Sequence, residues 1–396
     1  MIRRLAAAAG ALALGAASPL PAPPPVQQVG PIGAGYKPVD KDERGFWLEV
    51  EELERHVRTS AFVIRDAALN DYVRSVFCRT VGASECAGVR IYLLRTPAFN
   101  AGMYPTGMMV INSGLLLRMR DEAQLAAILG HEFTHYTHRH QIQLFRDAKR
   151  KANAAAWLAV VPIGGLVAAA ALSVAQLGMV ASIFTFSRSM EAEADAVSVP
   201  LMARAGYDPD QAWRVWEQLR AEQDATAVER KRRSRKDDNG GIFGSHPPMA
   251  ERMAALKTLA VQQPAGARAD GRAAYVAALR PWWPRLVDDQ VKLNDFGGTE
   301  FVLGRLAETG WTADLLYARG ELYRARGKPE DFAAAAGFYQ AAIAQPDAPV
   351  EAWRGLGLAE LRAGRAAEGR TALAEYLKKR PDAADRSMIE MMAGEV

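Results

Sequence analysis

Residues His131-Glu132-Phe133-Thr134-His135 spell H-E-x-x-H inside a strongly helical stretch. Two imidazoles four residues apart fall on one face of an α-helix, one turn apart, which suits a single metal ion. Glu132 lies between them and points toward the same ion without binding it, where its carboxylate can act as general base on a water. The five-residue pattern recurs by chance, so its meaning depends on what the rest of the chain brings to it. His138 lies on the His131 face but nearly two turns along, too far to share the ion, and on a continuous helix His140 points to the opposite face. Both read as structural or surface residues. The two cysteines, Cys78 and Cys86, are eight positions apart. They fit a short disulfide loop in an oxidising compartment or, equally well, two buried free thiols.

The elements that must position this chemistry follow from periodicity. The central helix is expected to begin near Asp121, with Gln124 three positions on in a capping box, and to run to about Lys151. Upstream, residues 42–80 read as amphipathic helices. Val89 to Leu94 and Met108 to Ile111 read as short strands, and residues 97–107 as a turn-rich connection. Downstream, residues 152–187 contain no charged side chain, long enough on composition for a membrane helix. One crossing would separate the two histidines from everything after Arg188, where the best further ligand lies. Two crossings need about 40 residues. Pro162, Gly164 and Gly165 fall where a turn would sit, so a buried helical hairpin or lid over the site is the preferred reading over membrane insertion. A helix from Ser187 to Arg204 carries Glu191, Glu193 and Asp195. A charge-dense loop follows at 229–238, then Ser245-His246-Pro247-Pro248 and a helix bearing Arg252.

The 396 residues, 49% hydrophobic and 24% charged, suit a globular chain of two or three domains. A net charge of +4 does not argue for nucleic acid. Arg3-Arg4, the apolar run Leu5 to Leu14 and Gly15-Ala16-Ala17 are expected to form a signal peptide over 1–17, directing the chain to the periplasm, with an uncleaved anchor as the alternative. Residues 18–40 read as a Pro-rich flexible segment, 41–262 as the catalytic domain and 263–272 as a linker. Residues 273–396 form an Ala/Leu/Arg helical array. In it Gly320-x-x-Tyr323…Gly327…Ala335…Tyr339 and Trp353-x-x-Leu356-Gly357…Gly364…Leu373…Tyr376 share a frame resembling tetratricopeptide repeats.

A zinc peptidase needs three protein ligands, an open position and a carboxylate base. In the gluzincin class the third ligand is a glutamate on a later helix, for which Glu191 is the leading candidate. Asp195, on the same helical face, can accept a hydrogen bond from the free nitrogen of a ligand histidine. Glu193 projects nearly the opposite way. A metzincin pattern would want Gly at 138 and His at 141, where this chain has His138 and Gln141.

The sequence resembles the gluzincin family that contains the CAAX-prenyl endopeptidases, the membrane heat-shock metalloproteases and bacterial periplasmic peptidases with C-terminal repeats. The resemblance is carried by Asn100-Ala101, Pro105-x-Gly107, Gly114-Leu115-Leu116, His131-Glu132-x-x-His135, Arg139-His140, Ser187-Arg188, Glu191-x-x-Ala194-Asp195, Ala205 to Pro209 and Ser245-His246-Pro247, in order over roughly residues 45–260. It implies one zinc bound by His131, His135 and Glu191, with Glu132 as base. The expected fold is α+β, mostly α: a zincin-type domain with a small sheet beside the H-E-x-x-H helix, then an all-α repeat region. His246 is the candidate for stabilising the oxyanion or, instead, for holding the enzyme latent; a packing role is the plain alternative. Met108, Met109, Val110 and Ile111 are expected to form the edge strand to which an extended substrate adds. The resulting reading is a periplasmic zinc endopeptidase acting on unfolded or misassembled envelope proteins, its repeats recruiting a client or partner protein. A repeat-based adaptor or chaperone with latent proteolysis is the main alternative, and an intramembrane protease a third. Membrane contact stays open, a single span does not.

Overall fold

A computed structural model of the chain describes residues 32, 33, 35–151, 186–234, 249–266 and 268–394, with the side chains of 148–151 and 249 excepted. The expected signal peptide, most of the 152–187 hairpin and His246 lie outside the described residues. Among the described residues no helix is long and apolar enough to cross a membrane.

Helix α1 (Lys41–Thr59) starts where the Asp40 side chain accepts from Glu43 N at 2.8 Å. It buries Phe46, Val50, Leu53 and Val57, spaced three and four apart on one face. Helix α2 (Ala67–Val81) is capped the same way by Asp66 and buries Leu69, Val73, Val76 and Phe77. A short helix α3 (Ala83–Ala87) follows, and Cys78 and Cys86 are joined as a disulfide across the α2–α3 turn, their Cα atoms 5.0 Å apart.

Three strands come next: β1 (Arg90–Leu94), β2 (Ala101–Met103) and β3 (Met108–Asn112), in the order β1-β3-β2. Strand β1 runs parallel to β3 with Arg90 opposite Met108, and β2 runs antiparallel with Gly102 opposite Val110. Two sequence expectations are corrected here. Residues 101–103, read as part of a turn-rich connection, form a strand. Strand β3 is the middle of the sheet, so Met108, Met109, Val110 and Ile111 cannot be its edge. The physical reason is in the strand itself. Met109 and Ile111 enter the main core, Met108 and Val110 the second core under α1, and neither face is left polar. A strand apolar on both faces needs cover on both, which a central position provides. The outer side of β1 is closed by Ile64 N on Leu93 O and Arg95 N on Phe62 O. The remaining edge position belongs to β2.

After helix α4 (Ser113–Arg118), Asp121 caps the central helix α5 (Glu122–Thr137), accepting from Gln124 N at 2.7 Å, while Gln124 Oε1 accepts from Arg120 N. All residues of α5 are buried. The helix does not continue to Lys151 as the sequence suggested. Arg139 adopts φ +58, in the left-handed region, and α6 (His140–Lys151) departs in a new direction. A buried ion pair with Glu43 and the Tyr36 ring, 4.7 Å from the guanidinium carbon, hold Arg139 there. Helix α7 (Arg188–Arg204) packs against α5 with Ser198 beside Gly130, where a Cβ would sit 3.4 Å from Ser198 Cβ, an ordinary contact distance. Helices α8 (Gln211–Glu229) and α9 (Met249–Val261) complete the layer around α5.

Residues 268–272 run as a strap, with Ala269 exchanging backbone hydrogen bonds with Gly206 and Asp208, and Asp270 O accepting from Ala123 N. Helices α10 (Arg272–Leu279), α11 (Trp283–Val291) and α12 (Phe296–Leu306) put Tyr275, Leu279, Trp283, Leu286 and Leu303 into the same core as Phe77 and Leu129. Buried Arg118 on α4 ties them to α8, giving Nη2 to Glu222 at 2.6 Å and to Gln290 at 3.1 Å. Two helix pairs follow, α13 (Ala313–Arg326) with α14 (Pro329–Ile343) and α15 (Glu351–Arg362) with α16 (Ala366–Lys379), then α17 (Arg386–Ala393). The frame glycine Gly320 is needed for packing, since a Cβ there would come within 2.6 Å of the Tyr339 ring.

Candidate metal centre

Helix α5 presents His131 and His135 one turn apart, their Nε2 atoms 2.9 Å from each other. Helix α7 brings Glu191, in its first turn, to the same point. Its Oε2 is 3.4 Å from His131 Nε2 and its Oε1 3.5 Å from His135 Nε2. All three residues are buried, and among the described residues they are the one group of three whose potential ligand atoms lie within 4.8 Å of one another. Tetrahedral zinc with bonds of about 2.0–2.1 Å separates its donor atoms by roughly 3.3 Å. The donor spacing is close to that geometry and the His₂Glu set suits that ion.

The surrounding charges are arranged to favour a cation. Asp195, one turn after Glu191, places Oδ1 2.9 Å from His131 Nδ1. Burial opposes its ionisation, but Arg252 and His131 prevail and hold the carboxyl at about 2. His131 is pushed up to about 9: burial and Arg252 act to lower it, and Asp195 and Glu191 outweigh them. A pocket that makes an imidazole more basic than in water is one that welcomes a proton or a metal. Glu132 is buried in the turn between the two histidines. Burial, and after it the Glu132 carboxylate, push up the phenol of Tyr104, the residue that follows β2.

Two features were not legible at the sequence level. The first is Arg252 on α9. It gives Nε and Nη2 to the two Asp195 oxygens at 2.7 Å each, sets Nη1 2.8 Å from Glu191 Oε2, and lies over the Trp216 ring at 4.2 Å. Its signal was a single arginine flanked by Met253, Ala254 and Ala255, on a helix that also had to bury Leu256. The second is His140, a correction to the expectation that it faces away. Because α5 breaks at His138 and Arg139, the helical wheel does not apply to residue 140. His140 is fully buried, with Nδ1 2.7 Å from His135 Nδ1 and Nε2 3.1 Å from Glu193 Oε2. Burial keeps its pKa below the ordinary value. Phe186 stacks on His135 with ring centres 3.8 Å apart. His138 remains outside the ligand set, 3.6 Å from Glu193. A cavity of about 180 Å³ reaches the site beside Glu191, lined by Arg188, Ala192, Asp195, Glu251 and Arg252.

Comparison with known proteins agrees with this geometry. Residues 65–260 match the model of peptidase family M48. The chain is similar to the beta-barrel assembly-enhancing protease of Escherichia coli K12, 28% identical over 166 residues, which cover 39% of this chain and 33% of that protein. It is similar to the protein of the same name from Yersinia pestis, 29% identical over 166 residues with the same shares. It also resembles the mitochondrial metalloendopeptidase OMA1 of Schizosaccharomyces pombe, 31% identical over 152 residues, 38% of this chain and 44% of that one. The matched region thus spans about a third of the length of the bacterial relatives. The two histidines, the glutamate and the intervening base all lie within residues 65–260, the segment that matches peptidase family M48, and together they support a zinc metallopeptidase.

Proposed function

We propose that the protein is a zinc-dependent endopeptidase. The observation that carries this reading is the convergence of His131, His135 and Glu191 on one point, with Glu132 buried between the histidines. His131, His135 and Glu191 would hold zinc, which when bound would supply a more acidic water and a Lewis acid for the scissile carbonyl. Glu132 takes the proton of the attacking water and returns it to the leaving amine. Asp195 fixes the His131 ring by accepting at Nδ1, and Arg252 holds Asp195 and Glu191 in register. Strand β2, in the edge position, is where an extended polypeptide would add by backbone pairing. His246 keeps its proposed role at the oxyanion or as a latency switch.

The substrate class we favour is unfolded or misassembled envelope protein in the periplasm. Support comes from the expected signal peptide and from bacterial relatives named as beta-barrel assembly-enhancing proteases. The helix pairs α13–α16 are proposed as tetratricopeptide-like repeats that recruit a client or partner. Casein digestion by purified full-length protein tests the activity. Glu132→Gln should abolish cleavage while one zinc per chain is retained. Undiminished cleavage by that variant would sink the mechanism.

A further inference from the structure

The hydrogen bonds behind the metal site determine where each ring proton must lie. His135 points Nε2 at His131 Nε2 and Glu191, so a lone pair must face that point and the ring N–H sits on Nδ1. The nearest partner of Nδ1 is His140 Nδ1 at 2.7 Å, which must then accept. That leaves the His140 proton on Nε2, 3.1 Å from Glu193 Oε2, a carboxylate oxygen that can accept it. One assignment satisfies every atom along the path. It also gives the two ligand histidines different supports. His131 leans directly on the buried Asp195, whereas His135 leans on a neutral imidazole that passes the hydrogen bond to a carboxylate 52% exposed to solvent.

We propose that His140 and Glu193 are positioning residues for the zinc ligand His135, forming a hydrogen-bonded chain that fixes its ring and tautomer from the protein surface. The chain depends on the break in α5, because only the left-handed Arg139 turns His140 back beneath His135. The partners of a ligand's outer nitrogen are worth roughly 10–100-fold in metal affinity. This inference rests on the metal set His131, His135 and Glu191.

The test is zinc affinity of the full-length chain, measured by competition with a chromophoric chelator, beside the melting temperature of the zinc-free protein. His140→Leu should weaken zinc binding by roughly 10–100-fold. His140→Gln, whose amide can accept from His135 and donate to Glu193, should recover most of that loss. Glu193→Ala, at the exposed end, should weaken binding to a smaller degree while leaving the zinc-free melting temperature unchanged. Wild-type affinity in both His140→Leu and Glu193→Ala would overturn the proposal, as would equal losses in the Leu and Gln variants. Should His140→Leu fail to fold, Glu193→Ala decides alone: unchanged affinity overturns the chain. If the wild type itself binds no zinc, the metal reading falls first, a result distinct from zinc binding that ignores these substitutions.

Discussion

Replacing Arg252 by Met removes a buried cation of similar side-chain volume from the centre of the site. The guanidinium bridges Asp195 through two contacts of 2.7 Å and reaches Glu191 at 2.8 Å. Its burial lowers the charged form, yet the two carboxylates keep its pKa above the ordinary value. Deleting one partner of a buried ion pair leaves the other charge uncompensated, at about 3–5 kcal/mol. For a unit of about 200 residues each kcal/mol moves the melting temperature by roughly 2–4 °C, so a fall of about 6–20 °C is expected. Zinc changes that figure. A divalent cation beside Glu191 supplies the charge that Arg252 provided, so the loss should be smaller in zinc than in chelator. Circular-dichroism melts of wild type and variant, each in excess chelator and in stoichiometric zinc, measure both quantities. A melting temperature within 2 °C of wild type in chelator, or an equal fall in both conditions, would refute the electrostatic account.

Two further outcomes follow from the packing around the site. Burial, against the hydrogen bond from Gln124 N, pushes the Asp121 carboxyl up to about 6 from an ordinary 3.8. A carboxyl raised in the folded state binds more protons there than when unfolded, so its contribution to stability declines as pH rises from about 4 to about 6. Asp121→Asn keeps the cap acceptor and should be more stable than wild type at pH 7 by about 3 kcal/mol, but not at pH 4; parallel urea curves at the two pH values would contradict this. Breaking the Cys78–Cys86 bond, by Cys86→Ser or by reductant, should cost about 2–3 kcal/mol for so short a loop, read as a lower urea midpoint, and an unchanged midpoint would show that the bond constrains nothing.

What the sequence could determine was local. Four-residue spacing on a helix places His131 and His135 on one face by geometry alone, and the same spacing aligns Glu191 with Asp195. Caps at Asp40, Asp66, Asp121 and Ser187 are written in residue type, and the cap hydrogen bonds are present. The four successive apolar residues Met108 to Ile111 of β3 even contained the evidence of its central position, since an edge strand with one wet face would alternate. The tertiary structure decided what depends on elements meeting. The turn at Arg139 comes from Glu43 and Tyr36, about a hundred residues away in sequence, and it alone carries His140 to His135. Arg252 enters the site because α9 packs against α7, which no periodicity within either helix could announce. Helices α10–α12 join the core around α5 through Arg118, Tyr275 and Asp289, partners that composition cannot pair. Spacing reports which groups share a face, but the identity of what that face meets is a property of the whole fold.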